Sequence, residues 1–257
     1  MDKGSEGERL VDVTVKERFL DCWDAYFPGA ELPIVLSYTD EELPADRARP
    51  RERAHCLICS LAPVLNGTTR RFDVNTIRCG GARRYLGFEQ EMQPTFPHFL
   101  SCGIPGDLEG ERYKRSPELV ERYLESQPLF EAPGRTIVSK RWDSLSKDDS
   151  PEIVIFFASP DVLSGLFTLA NFGEVDPQAV IAPFGSGCSS IVYHPYQELL
   201  SDHPRAVLGM FDVSARPCVP PDVLTFAIPW PKFTMMVSQM DESFLITDSW
   251  DEVRSRI

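Results

Sequence analysis

Between residues 9 and 28, Leu10, Val13, Val15, Phe19, Leu20, Trp23 and Phe27 recur at about the spacing of one helix face. That pattern predicts an amphipathic helix, closed by Pro28 and Gly29. The apolar run from Pro33 to Tyr38 predicts a short strand. Thr39 to Arg53 is charged and carries Pro44 and Pro50, which predicts an exposed loop with Arg47, Arg49, Arg51 and Arg53 alternating along it. Cys56 to Leu65 reads as a helix stopped by Asn66 and Gly67, and Arg70 to Val74 as a strand. Cys79, Gly80 and Gly81 precede good helix formers, so a tight turn should open a short helix there. Pro94 to Pro105 should be irregular, Pro117 to Leu124 helical, and Pro128 to Val138 should lead into a strand.

The second half follows the same style. Ile153 to Phe157 is a continuous apolar run of buried-strand length. Ser159 is the expected N-cap of a helix with Pro160 at its first position, running to about Phe172. Gln178 to Pro183, Ala206 to Phe211 and Asp222 to Ile228 are further elements, and Phe233 to Met240 and Asp248 to Arg256 are helices. The expected class is mixed α/β (α+β), as one compact domain over 1–257 with a weak sub-boundary near 147–150. A variant of that reading has two similar αβ halves facing each other across a central cleft.

Charge narrows the partners. The net charge is −13, and 42% of residues are hydrophobic, ordinary for a globular chain. Phosphate binding wants clustered Lys and Arg, so no nucleic-acid partner is expected. No apolar stretch reaches the roughly 18 residues that span a bilayer, and Met1 to Glu8 lacks the apolar core of a signal peptide. The expectation is a cytoplasmic protein without a membrane partner, with a homodimer as the default assembly.

The chain has seven cysteines, an odd number at wide spacing. In a reducing compartment such thiols are more often buried residues, metal ligands or redox groups than disulfides. Cys56 and Cys59 form a C-x-x-C, whose thiolates can share a metal on one helical turn. The competing reading is two small hydrophobes on a core helix. Cys79, Gly80 and Gly81 combine a thiol, backbone that a ligand can approach, and a helix N-terminus that favours anions. Gly185 to Ser190 (GSGCSS) repeats that chemistry around Gly187 and Cys188. It lacks the closing glycine of a nucleophile elbow, and His194 is its nearest candidate base. No phosphate loop is present. Arg83, Arg84 and Arg216 lie near these turns and can pair either with an anionic ligand or with the abundant carboxylates.

The helix carrying C-x(5)-A at Cys56 is followed by CGGARRYLGF (79–88) and IVIFFASPDVLSGL (153–166). A glycine–cysteine turn, R-x-C-x-P-P-D-V-L-T-F-A-I-P (216–229) and a final W-x-x-V-R complete the set. Together, from about residue 9 to residue 256, they resemble the DUF169 family, also labelled an archaeal conserved region. The resemblance implies a protein of bacteria and archaea with no settled activity, and it supplies no catalytic residue. It implies Cys56, Cys79 and Cys188 as the cysteines of the pattern, with Cys59 an addition in this chain.

Three functional expectations follow. The first is a cofactor-binding protein in which Cys56, Cys79 and Cys188 hold an iron–sulfur cluster or another thiophilic metal. Cys59 or Cys102 would be a fourth ligand, with Gly80, Gly81 and Gly187 lining the site. The second is a module that binds a small anionic molecule through the glycine turns and Arg83 or Arg216. The third is a thiol enzyme using Cys188 or Cys79 with a histidine.

Overall fold

The computed structural model describes residues 13–42 and 56–257. Leu10 and the ladder from Arg47 to Arg53 lie outside the described residues. Helix α1 (Val13–Tyr26) precedes strand β1 (Ile34–Thr39), and α2 (Leu57–Leu65) precedes β2 (Arg70–Asp73). Three short helices follow, α3 (Gly80–Tyr85), α4 (Phe96–Phe99) and α5 (Pro117–Glu125), and then β3 (Thr136–Arg141). Next come β4 (Ile153–Ala158), α6 (Pro160–Asn171), β5 (Val180–Ile181), α7 (His194–Leu199) and β6 (Ala206–Gly209). The chain closes with β7 (Leu224–Pro229), α8 (Trp230–Gln239) and α9 (Asp248–Arg254). The mixed α/β class is therefore observed.

All seven strands form one sheet in the order β2-β3-β1-β4-β7-β6-β5. Every pairing is antiparallel except β5 with β6. Strand β4 sits at the centre, and all six of its residues are buried. Its alternation divides the core in two: Val154, Phe156 and Ala158 face one side, and Ile153, Ile155 and Phe157 the other. A strand flanked on both sides and covered on both faces needs apolar residues at every position. Each large side chain so buried contributes about 1.5–3 kcal/mol.

On the first face, α1, α6, α8 and α9 cover the sheet with an aromatic cluster centred on Phe19, Trp23, Trp142 and Phe233. A small apolar cavity lined by Phe19, Trp23, Phe156, Leu166 and Met236 lies there. On the second face, α2, α3 and the segment 188–193 pack over Ile34, Ile137, Ile155 and Ala227. The chemistry-bearing cysteines belong to this second face.

Two expectations are corrected. β1 pairs with both β3 and β4, so the strands make one sheet and not two facing halves. Ser159 is the N-cap of α6 with extended backbone and Pro160 opens the helix, as expected, although the Ser159 side chain makes no capping bond. The segment 94–105 contains the short helix α4. The end of GSGCSS opens a π-helical turn, Ser189–Tyr193, that runs straight into α7. Such wide turns cluster at functional sites.

Candidate cysteine centre

Cys56 is the N-cap of α2, with extended backbone at φ −88° and ψ 129°. Cys59 follows at the third helical position, where an N-cap side chain naturally reaches back over the first turn. Cys59 is exposed and joined by a disulfide to Cys218, 159 residues away in sequence. The sulfur atoms of Cys56, Cys59 and Cys218 all lie within 4.8 Å of one another. The expectation that Cys59 is a free ligand is therefore corrected. In this structure its sulfur is bonded to a cysteine that the spacing gave no reason to select.

Cys79 is the exposed N-cap of α3, and Cys188 is buried at the start of the π-helical turn. Cys79 and Cys56 both act electrostatically on Cys188. Burial pushes the Cys188 thiol well above its ordinary value, and neighbouring Cys79, Cys56 and Asp212 raise it further. Burial is also the main cause that raises the Cys56 thiol. The nearby backbone N–H groups of Cys59 and Ile58 pull it down, while Cys79 and Asp212 push it up. Three cysteines separated by 23 and 109 positions in the chain are thus electrostatic neighbours, with the Cys59–Cys218 pair beside them.

Asp212 organises the approach. Its Oδ2 accepts the Gly187 N–H at 2.9 Å, and its Oδ1 accepts the Ser214 N–H at 3.0 Å and the Ser214 hydroxyl at 2.8 Å. The chain enters this loop through Met210, a buried non-glycine residue at φ 70°. Backbone in that left-handed region is strained, and such strain concentrates at functional sites. Gly187 is required by close approach. A Cβ there would stand 3.0 Å from the Ala215 Cβ and 3.0 Å from the Ile58 Cγ1, wedged between α2 and the turn carrying Cys218. Gly80 has open space around it, and a Cβ at Gly81 would meet only the Cys79 sulfur, at 3.8 Å.

The two candidate anion-binding arginines are engaged within the chain. Arg83 donates to the Ile77 carbonyl at 2.7 Å and to Glu89 at 2.8 Å. Arg216 donates to the carbonyls of Val223, Pro220 and Pro221, pinning the turn that holds Cys218. His194 is half-buried with its Nε2 lacking a partner, and burial lowers its pKa to about 4, opposed by Glu198. After burial, the groups that act on Cys188 are Cys79, Cys56 and Asp212, and no histidine is among them. Cys102 is exposed in the loop after α4, where its thiol reaches its neighbour's carbonyl, Gly103 O, at 3.7 Å. Cys22 is buried on the other face, its thiol 3.6 Å from Asp241.

With three of the cysteines that the sequence pattern singled out gathered on one face, comparison with known families becomes informative. The DUF169 family model, described as "Uncharacterised ArCR", matches residues 32–239. The chain belongs to the DUF169 family. Cys56, Cys59, Cys79, Cys188 and Cys218 all lie inside the matched region, and Cys22 outside it. No curated protein and no solved structure matches the chain. Among the described residues, no helix is long and apolar enough to cross a membrane.

Two residues escaped sequence reading. Asp212 sits in FDVS, where nothing but the fold marks one carboxylate among 39 acidic residues. Cys218 did carry a signal, since it lies in a rigid R-P-C-x-P-P turn, but sequence separation hid its partner.

Proposed function

We propose that the DUF169 chain, in its reduced form, carries a thiolate-ligated centre: an iron–sulfur cluster or a single thiophilic metal bound by Cys56, Cys79 and Cys188. Cys59 or Cys218, once freed from each other, supplies a fourth sulfur. The observation that carries this reading is the clustering of soft sulfur: the free Cys56 lies with Cys59 and Cys218 within 4.8 Å of one another, and Cys79 and Cys56 come near enough to the buried Cys188 to raise its thiol. The donor set is all soft sulfur, which selects Zn, Cu(I) or iron–sulfur clusters over hard cations. Cys188 is buried, with its thiol held well above the ordinary value, and so is a poor free nucleophile. A metal ligand, however, is deprotonated outright on binding, and the positive centre removes the cost of burying the thiolate.

The protein's own residues would act in three ways. The extended N-cap geometry of Cys56 and Cys79 presents both sulfurs at helix starts, where the backbone favours negative charge. Asp212 holds the Gly187 N–H and so fixes the turn that presents Cys188. If only three cysteines bind, one position is left for a small-molecule substrate. The setting that suits this centre is the reducing cytoplasm. The anion-binding alternative draws no support from Arg83 and Arg216, whose guanidinium groups bond to the chain itself.

The test is anaerobic purification with reductant, then a visible spectrum and metal and labile-sulfide analysis of one sample. Iron with sulfide, or stoichiometric zinc, lost in Cys79→Ser and in Cys188→Ser but kept in Cys102→Ser, supports the centre. Metal-free, colourless protein from cells replete in iron and zinc overturns it.

A further inference from the structure

The Cys59–Cys218 disulfide stands beside a third sulfur that is not consumed by it. Cys56 is free, half-buried, and within 4.8 Å of both bonded sulfurs. Cys59 is exposed, and as N-cap and third residue of α2, Cys56 and Cys59 occupy positions whose side chains meet over the first helical turn. The turn that carries Cys218 does not depend on the disulfide for its shape. Arg216 clamps it onto three carbonyls, and the Cys218 N–H donates to the Ala215 carbonyl at 2.9 Å. A bond that merely stapled a loose turn would need neither a neighbouring thiol nor a turn already held by other means.

We propose that Cys56, Cys59 and Cys218 form a thiol–disulfide exchange site in which the disulfide passes between Cys59–Cys218 and Cys56–Cys59. In the forward step the Cys56 thiol gives up its proton and the resulting thiolate attacks the Cys59 sulfur. The Cys56–Cys59 bond forms as the Cys59–Cys218 bond breaks, and Cys218 leaves as a thiolate that takes up a proton. One disulfide is replaced by another and no electron is gained or lost, so the step needs no oxidant or reductant. An external dithiol enters at the exposed Cys59 and, by attacking it in place of Cys56, reduces the pair fully while becoming a disulfide itself. For the metal reading proposed above, on which this consequence alone rests, exchange takes Cys56 out of the ligand set and leaves Cys218 as the free sulfur of the three.

The experiment uses the full chain stripped of metal with a chelator and equilibrated in oxidised and reduced dithiothreitol. Samples are acid-quenched, alkylated and mapped by mass spectrometry. Cys56 and Cys59 share the tryptic peptide 54–70, so their disulfide is seen as a loss of two hydrogens within one peptide, distinct from the cross-link to Cys218. The wild type should give both species, Cys218→Ser only the Cys56–Cys59 form, and Cys56→Ser only the Cys59–Cys218 form. Circular dichroism on each variant checks that it is folded. A folded Cys218→Ser in which Cys56 and Cys59 both stay free under oxidising poise overturns the proposal, as does a wild type showing the Cys59–Cys218 species alone. Metal content is measured separately on reductant-prepared protein. A metal-free chain with working exchange ends the metal reading and leaves this one standing, and a metal-loaded chain without the Cys56–Cys59 bond does the reverse.

Discussion

Asp212→Asn is the most informative single change, because it alters one atom and leaves the shape intact. The two carboxylate oxygens of Asp212 divide their work: Oδ2 takes the buried Gly187 N–H at 2.9 Å, and Oδ1 takes both donors of Ser214. In the asparagine variant only one oxygen remains. If it keeps the two Ser214 bonds, the new NH2 confronts the Gly187 N–H, donor against donor. A hydrogen bond to a charged acceptor is worth about 1.5–3 kcal/mol, and the orphaned N–H lies at a buried residue. Asp212 itself is half-exposed, so about 2 kcal/mol is the reasonable loss. For a chain of this size that lowers Tm by about 4–8 °C. Ser214→Ala removes exposed hydroxyl bonds, to Asp212 and to Tyr113, and should cost about 0.5–1 kcal/mol. Thermal denaturation followed by circular dichroism measures both. A local readout accompanies it: Cys188 is 6% exposed, and loosening the turn should raise its rate of alkylation in Asp212→Asn but not in Ser214→Ala. Equal Tm values for wild type and Asp212→Asn, with Cys188 equally protected, would refute the claim that this carboxylate holds the cysteine turn.

Gly187→Ala should cost about 1–3 kcal/mol in chemical denaturation, because its Cβ would lie 3.0 Å from both Ala215 and Ile58 and force α2 away from the Cys218 turn. Gly165→Ala on the opposite face puts a Cβ 2.5 Å from the Trp250 Cη2 and 2.7 Å from the Phe27 Cε1; it should destabilise by a similar 1–3 kcal/mol, roughly, while leaving metal content per folded chain unchanged. His194 has its pKa lowered to about 4 from an ordinary 6.5, so the unfolded chain binds more protons between those values. Its contribution is intact above pH 6.5 and is lost as pH falls toward 4, reaching about 3 kcal/mol there. Unfolding free energies of wild type and His194→Gln from urea titrations across pH 4–7 should draw apart toward low pH, by that amount at pH 4, and parallel pH profiles would show that His194 is hydrated in the folded state.

Much of the fold was legible because its signals are local. The run Ile153–Ala158 read as a buried strand from its length and continuous apolar character, and it is one; its central place in the sheet came only with the structure. Proline and glycine marked most helix limits, and Cys79-Gly80-Gly81 opened the helix expected of it. Ser159 marked the start of α6 correctly through its extended backbone and the proline after it, even though its hydroxyl makes no capping bond. The sheet order was not legible: β3 and β4 flank β1 through long-range pairings that no sequence window contains.

The candidate centre divides in the same way. Residue type and turn chemistry marked Cys56, Cys79 and Cys188, because thiols beside glycines and helix starts are a property of short segments. Only the tertiary structure brought them to one face, bridged Cys59 to Cys218 across 159 positions, tied Gly187 to Asp212, and turned Arg83 and Arg216 inward onto carbonyls. The physical reason is range. Propensity, capping and alternation act over a few residues, whereas a disulfide, a carboxylate's choice of donor, and the burial that raises a thiol's pKa all depend on which distant segments the packed sheet brings together.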